Sequence, residues 1–444
     1  MTVPRTICLG FLVVITVGTL LLMLPVATSG GTWNNPIVAL FTATSAVCVT
    51  GLSVVDISTY FSFWGQLLIL VLFQIGGLGY MTANTFLLLL LGRRFGLRDK
   101  IAIQQALDKK GLQGSAQLIQ SIIATTLIFE ITGTFLLLPV FAPDHGLSQG
   151  LWLSVFHSVS AWTNTGFGLF SDSFVRYQST PLLNIVIAAL IILGGIGHQV
   201  VLELYLWLRD RVLRRPERFV FSLNFKVATS TTLVLLALGT IAFTLTEIRN
   251  PQTLGSVGFG TKLMAAFFLS TVTRTAGFNS VDIGKLGQAS LLIAIALMII
   301  GGSPGGTAGG MKTTTLRVLT SCTKTILQGK EQVVMYQRQI PMALVLKAVG
   351  VAVGSIAVIM TTTTLIALSD PALDALQILF EAASAFATVG LSTGITGVLS
   401  EPAKLILVVT MYVGRVGVLL LMSAILGDPR PSSVNYADEN LLVG

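Results

Sequence analysis

Marked only as apolar or polar, the chain reads as long apolar runs separated by short polar ones. Runs near residues 7–27, 118–141, 227–245 and 344–368 each approach the roughly 20 residues that a bilayer crossing needs. A second set lies near 67–91, 182–208, 291–326 and 405–425. Between the two members of each pair sits a shorter apolar segment, such as residues 151–163. It is too short to span and is read as a re-entrant half-helix. The first run is too long for the h-region of a signal peptide and lacks a clean cleavage site, so it is read as a span. The pattern predicts an all-α polytopic membrane protein whose unit is span, half-helix, break, span.

The four units agree most closely at the break. Each centres on one glycine, Gly51, Gly166, Gly277 or Gly390, at separations of 115, 111 and 113 residues. Ten residues earlier stands a phenylalanine (Phe41, Phe156, Phe267, Phe380), and six earlier a small hydroxyl (Ser45, Ser160, Thr271, Ser384). Leu52, Phe167, Phe278 and Leu391 follow directly. Self-similarity at a fixed period marks a repeat architecture. The divisions are repeat A, 1–92; a linker, 93–114; repeat B, 115–208; a linker, 209–226; and repeat C, 227–328, whose second span is broken. A linker at 329–343, repeat D at 344–427 and a tail at 428–444 complete the chain.

Two crossings per repeat return the chain to its starting side, so all four repeats run parallel. Inverted-repeat transporters need an odd number of spans per repeat. Four parallel repeats suit a pseudo-fourfold pore along the membrane normal. Irregular backbone at membrane depth is tolerated only where it is buried in protein or lines a watery cavity. Glycine opens torsions closed to other residues and keeps the axis clear. Four such segments can turn carbonyl oxygens inward to replace the water around a cation. The candidate filter is Val49-Thr50-Gly51, Asn164-Thr165-Gly166, Thr275-Ala276-Gly277 and Thr388-Val389-Gly390. With one glycine per loop and neighbours that differ, a short and irregular filter is expected.

Charge changes the picture little. Only 10% of residues are charged, against about 25% in a soluble domain. The net charge of +8 invites a nucleic-acid reading, but 17 of the 27 Lys and Arg fall in residues 93–110, 209–226 and 312–338. This is the positive-inside asymmetry, which places those linkers in the cytoplasm, with lipid rather than nucleic acid as the surroundings. Asp56, Asp172 and Asp282 follow their glycines by five or six residues and are expected at the outer mouth, where acids concentrate cations. Repeat D has Ile395 there, so the ring is incomplete. The three cysteines and three histidines are scattered and form no metal pattern.

The loops TGL, TGF, AGF and VGL, with GGSPGGTAGGMKT after the third, make the chain resemble the Trk/Ktr/HKT superfamily of potassium transporters, most closely its Ktr-type membrane subunit. The resemblance covers nearly the whole chain. It implies a pseudo-fourfold pore within one chain, a homodimer, and a cytoplasmic ring of RCK-type nucleotide-binding regulators. Members with glycine in all four loops select potassium, so Gly51 implies potassium as the transported ion. Sodium is left as an activator or a co-ion, the location is the bacterial inner membrane, and no covalent cofactor is implied.

The resemblance also makes the stretch Gly301, Gly302, Ser303, Pro304, Gly305, Gly306, Thr307, Ala308, Gly309, Gly310, with Lys312 just beyond, an intramembrane gating loop. A plain hinge is the alternative. GGSPG also matches the G-x-S-x-G nucleophile elbow, and GGMKT falls one residue from a Walker A loop, but neither has the required strand-to-helix context. Arg415 lies mid-span in repeat D, and the resemblance places such an arginine just below the filter. Intramembrane ionisable groups face the interior or pair. A pairing with an acid is the alternative for Arg415. Glu381, Arg274 and Glu130 are read as buried scaffold pairs, and His157 and His198 as packing residues. The expected function is potassium uptake without enzymatic chemistry. A sodium-coupled symporter on the same scaffold is the first rival, and an intramembrane hydrolase at Ser303 the second.

Overall fold

The computed structural model describes residues 3–79, 115–214 and 219–427. The linker 93–114, part of the linker 209–226, the far half of repeat A's second span and the tail 428–444 lie outside the described residues.

Each repeat opens with a long helix: α1 (Val3–Met23), α5 (Ser115–His145), α9 (Leu223–Glu247) and α13 (Met342–Ser369). All four are long and apolar enough to cross a membrane. Large side chains on them, such as Leu20, Ile128, Phe135 and Val353, are exposed, as lipid-facing positions should be. The half-helices follow: α2 (Pro36–Val47), α6 (Leu147–Trp162), α10 (Phe259–Val272) and α14 (Ala375–Phe386). Local chemistry starts them cleanly. Asn35 caps α2 through Ile37 N with Pro36 in the first turn, and Asp374 caps α14 through Leu376 N and Gln377 N. A four-residue turn, α3 (Ile57–Tyr60), follows the first loop.

The second spans depart from expectation. Hydropathy predicts continuous helices in repeats B and D, but both are bent. Repeat B has α7 (Pro181–Gly195) and α8 (His198–Val212) at 107°, and repeat D has α15 (Glu401–Val416) and α16 (Val418–Leu426) at 92°. The hinges are Gly197 and Gly417, at φ of 100° and 89°, and in repeat A the helix α4 (Phe63–Leu78) stops at Gly79 with φ 77°. Only glycine enters these torsions without steric cost. Repeat C breaks as expected, between α11 (Gln288–Ile299) and α12 (Thr313–Leu327). A small hairpin, β1 (Val334–Met335) and β2 (Arg338–Gln339), then leads to repeat D. At 15 residues α7 is about 22 Å long, short of a ~30 Å hydrocarbon core, so the half-helices and loops complete the crossing.

The repeats interlock around a ring. The second span of each packs on the next half-helix: α4 on α6, α7 on α10, α11 on α14, and α15 back on α2. In three repeats the second span also touches the end of its own half-helix through a glycine. A Cβ on Gly76, Gly194 or Gly414 would strike the carbonyl of Val47, Trp162 or Phe386, the last residue of each half-helix. In membranes, where lipid is as apolar as leucine, such small-residue contacts are what let helices approach closely. Of the predicted phenylalanines, Phe41, Phe156 and Phe380 are fully buried, whereas Phe267 is only partly so. Leu52, Phe167, Phe278 and Leu391 are all buried behind the loops.

Candidate functional site

The four half-helices end at one place, and the loops after them close a ring. A Cβ built on Gly51 would meet the Thr165 carbonyl oxygen, and one on Gly166 the Ala276 oxygen. A Cβ on Gly277 would meet the Val389 oxygen at 2.6 Å, and one on Gly390 the Thr50 oxygen. Each glycine thus faces the carbonyl just before the glycine of the next repeat, and the cycle returns to its start. The geometry brings the four glycines together with Thr50, Thr165, Ala276 and Val389.

Torsions within the loops explain how. Val49, Asn164, Thr275 and Thr388 have φ of 58°, 57°, 69° and 51°, and the four glycines have 84°, 79°, 69° and 91°. The residues between them are not in this region, so φ alternates in sign along each loop. Left-handed torsions are unusual outside glycine and cost energy, and such strain persists only where the surroundings enforce it. Here the enforcing bonds recur. Thr50 N donates to Ser45 O at 2.8 Å, Thr165 N to Ser160 O at 2.9 Å and Val389 N to Ser384 O at 2.9 Å. These carbonyls belong to the small residues six before the glycine. Repeat C uses Ala276 N to Val272 O instead, at 3.1 Å. The half-helices present their C-terminal, partially negative ends to the ring, which favours a cation. The buried hydroxyls of Thr50, Thr275 and Thr388 have no protein partner among the described residues, so the surroundings are polar yet unclaimed.

Outside the ring is a cavity of about 860 Å³, lined by the four glycines together with Asp56, Asp172 and Asp282. The acids are unequal. Asp56 caps α3 through Ser58 N at 2.9 Å, Asp282 pairs with Lys285 at 3.0 Å, and Asp172 is exposed. Ile395 is buried and adds nothing.

Beneath the ring, residues 301–310 form a re-entrant, hairpin-like loop whose two ends, Ile300 and Met311, pair in parallel. Gly301 N donates to Met311 O at 2.8 Å and Thr313 N to Gly302 O at 3.0 Å. The hairpin is fastened to repeat B, because Ser303 N donates to Gly195 O at 2.9 Å and Thr307 N to Gly194 O at 3.2 Å. Thr307 Oγ1 donates to Asn164 Oδ1 at 3.2 Å, and Gly309 lies against the Thr388 hydroxyl. Arg415 donates to the carbonyls of Thr307 and Gly76, tying repeats C, D and A directly under the ring. Lys312 Nζ reaches back to Ala308 O at 2.6 Å. A second cavity of about 530 Å³, lined by His198, Pro304, Gly305, Lys312, Thr315 and Lys347, opens below.

Some expectations are corrected. For Arg415 the alternative of pairing with an acid is not met among the described residues, since main-chain carbonyls hold it. Glu130 accepts from Gln74 Nε2 at 2.8 Å, and Arg274 donates to Thr232 Oγ1 at 3.3 Å, so neither is in a charge pair among the described residues. Glu381 binds hydroxyls and a backbone N–H, and His157 accepts from Leu169 N at 3.2 Å, so it does more than pack. Such partners leave no compositional trace, because hydroxyls and main-chain groups occur everywhere. Ser303 is buried with its hydroxyl on Thr313 Oγ1 at 2.7 Å, within a hairpin rather than a strand-to-helix turn.

The sequence supports the same architecture. Residues 9–435 match the TrkH family model, described as cation transport protein. The chain belongs to this family. It is similar to the "Ktr system potassium uptake protein B" of Vibrio alginolyticus, at 40% identity over 99% of this chain and 95% of that one. The protein of the same name from Bacillus subtilis is 36% identical over 100% and 97%. "Potassium/sodium uptake protein NtpJ" of Enterococcus hirae is 35% identical over 99% and 97%. The crystal structure of the potassium transporter TrkH from Vibrio parahaemolyticus superposes with a TM-score of 0.73 at 17% identity, covering 95% of this chain and 84% of that one. That likeness supports the fold: four parallel repeats of membrane helices.

Proposed function

We propose that this TrkH-family member is the pore-forming subunit of a bacterial potassium-uptake system in the inner membrane. The observation that carries the reading is the closed ring in which each loop glycine faces the carbonyl of the next repeat. Relatives named for potassium uptake, similar along their whole length, supply the ion. Potassium enters from the acid-lined outer cavity, exchanges water for carbonyls at the ring, and passes the hairpin only when that hairpin yields. A membrane potential contributes about 2.3 kcal/mol per charge per 100 mV, which drives uptake without a covalent step.

Gating on this reading belongs to Gly301–Gly310 and Arg415, and the signal comes from a partner. An RCK-type nucleotide-binding ring docking on the basic connections is the proposed regulator, and a second copy of this chain is the proposed partner in a homodimer. Of the basic connections, residues 93–110 lie outside the described residues. The test is rubidium and sodium uptake by the chain in a transport-deficient cell. Potassium-competed rubidium uptake supports the proposal, and sodium uptake indifferent to potassium overturns it. The name of the Enterococcus relative keeps sodium coupling open as a second reading. A fixed sodium-to-potassium flux ratio selects the symporter.

A further inference from the structure

Nine residues before each ring glycine, the half-helices carry Thr42, His157, Phe268 and Glu381. All four are completely buried. In two repeats this side chain reaches the main chain three residues beyond the glycine. His157 Nε2 accepts from Leu169 N at 3.2 Å in repeat B, and Glu381 Oε1 accepts from Thr393 N at 3.0 Å in repeat D. The other ring nitrogen of His157 is engaged with Leu153 O at 2.7 Å, which assigns the Nδ1–H tautomer and leaves Nε2 as the acceptor. Glu381 gathers two more donors from the same loop, Ser392 Oγ at 2.5 Å and Thr396 Oγ1 at 2.8 Å. A carboxylate buried this deeply is tolerable only with such a set of donors.

Repeats A and C lack the device. The Thr42 hydroxyl has no partner among the described residues, and Phe268 has no acceptor to offer. Repeat C instead leans sideways on repeat B, with Asn279 N donating to Ser173 Oγ at 3.1 Å and Phe174 N to Asn279 O at 2.9 Å. The ring order places B opposite D. The outer part of the filter is therefore pinned from behind along one diagonal, and the pinned stretch begins at the ring glycine and ends at the tether.

We infer that the position nine residues before the glycine is specificity-determining, and that His157 and Glu381 hold the outer filter open at the radius a larger cation needs. The inference rests on reading the chain as a potassium-selective pore. Sodium is smaller, so coordinating it requires the carbonyls to close in, and a loop fastened to its own half-helix resists that movement. Removing either acceptor frees the loop to contract.

The experiment measures rubidium uptake and its competition by potassium and sodium in cells lacking other uptake systems, for wild type and four variants. Glu381→Leu removes the acceptor, and Glu381→Gln keeps an Oε1. His157→Phe installs the residue that repeat C already tolerates at this position. Phe268→Leu perturbs packing without touching a tether. Glu381→Leu and His157→Phe are each expected to lower the potassium-over-sodium preference by about tenfold. Glu381→Gln should stay within about threefold of wild type, and Phe268→Leu should match it. Wild-type preference in His157→Phe overturns the inference, and this variant decides the question alone should Glu381→Leu fail to reach the membrane. An equal loss in Phe268→Leu also overturns it, since general packing would then be the cause. Absence of potassium-competed uptake in the wild type is a different failure, that of the potassium reading itself.

Discussion

In the glycine ring itself the repeats contribute alike, and on its inner side each contributes something different. The ring has four left-handed glycines, four inter-repeat carbonyls and four buried residues, Leu52, Phe167, Phe278 and Leu391, behind them. Facing inward are a carbonyl from Gly76 of repeat A, a carboxamide from Asn164 of repeat B, the hairpin of repeat C and the guanidinium of Arg415 from repeat D. An ion on the axis is best stripped of water when carbonyls surround it evenly, which demands equal loops. On the proposed gating role, the inner side has no such requirement. One hairpin and one arginine suffice, and the other repeats need only supply places to fasten them.

The sharpest way to break this comparison is to place a side chain in the ring. Gly51→Ser sets a Cβ toward the Thr165 oxygen and demands φ of 84° from a serine. It should reduce potassium-over-sodium preference by about tenfold or more. The same change at Gly166 or Gly390 should do likewise if the ring positions are truly equivalent. Competition assays in surface-expressed variants measure this, and unchanged preference in any one of them breaks the fourfold picture.

Inner-side changes should act on rate instead. Arg415→Ala deletes the donors to Thr307 and Gly76, freeing the hairpin from repeats D and A. Flux should rise by about tenfold, since charge-assisted bonds of this kind contribute about 1.5 kcal/mol or more. Selectivity should hold. A fall in flux with intact expression would give Arg415 a scaffolding role. Thr307→Val removes a neutral hydroxyl donor shared between Asn164 Oδ1 and Trp162 O, and should raise flux by about twofold. Should it shift ion preference more than flux, the inner hairpin would belong to the filter.

The same division governs what was legible in the sequence. The ring could be read because a side chain there is sterically forbidden, so one glycine survives in each repeat at a fixed offset. The spans could be read because lipid requires apolar residues. The bends at Gly197 and Gly417 were hidden, since the residues on both sides remain apolar and hydropathy is blind to direction. In retrospect GGLG, GGIG and GRVG end on glycines of the same kind, Gly79, Gly197 and Gly417, all with positive φ. Arg415 stands where Gly77 and Gly195 stand in the first two. Its partners are main-chain carbonyls, which no composition announces. The offset of His157 and Glu381 was equally visible, but two unlike residue types doing one task do not register as a motif.

The smallest expected effect lies at the outer mouth, and it distinguishes a designed approach from ordinary solvated acids. The three acids there have different obligations. Asp56 caps a helix turn, so Asp56→Asn retains a capping side chain and changes mainly charge. Asp282 is compensated by Lys285, so its removal exposes an unpaired cation to the cavity. Asp172 has neither role among the described residues and offers its charge freely. Asp172→Asn should therefore raise the half-saturating potassium concentration by about twofold at low ionic strength, an effect that fades as added salt shortens the Debye length to about 10 Å at 0.1 M. Lys285→Gln should move the same quantity the opposite way, because it unmasks Asp282. Uptake titrations for both variants at several concentrations of an impermeant salt measure the pair. Opposite shifts that shrink together with salt would mean that the mouth works by electrostatics. Shifts of the same sign, or shifts indifferent to salt, would reduce the outer acids to loop chemistry and leave the ring as the one cation-attracting element on that side.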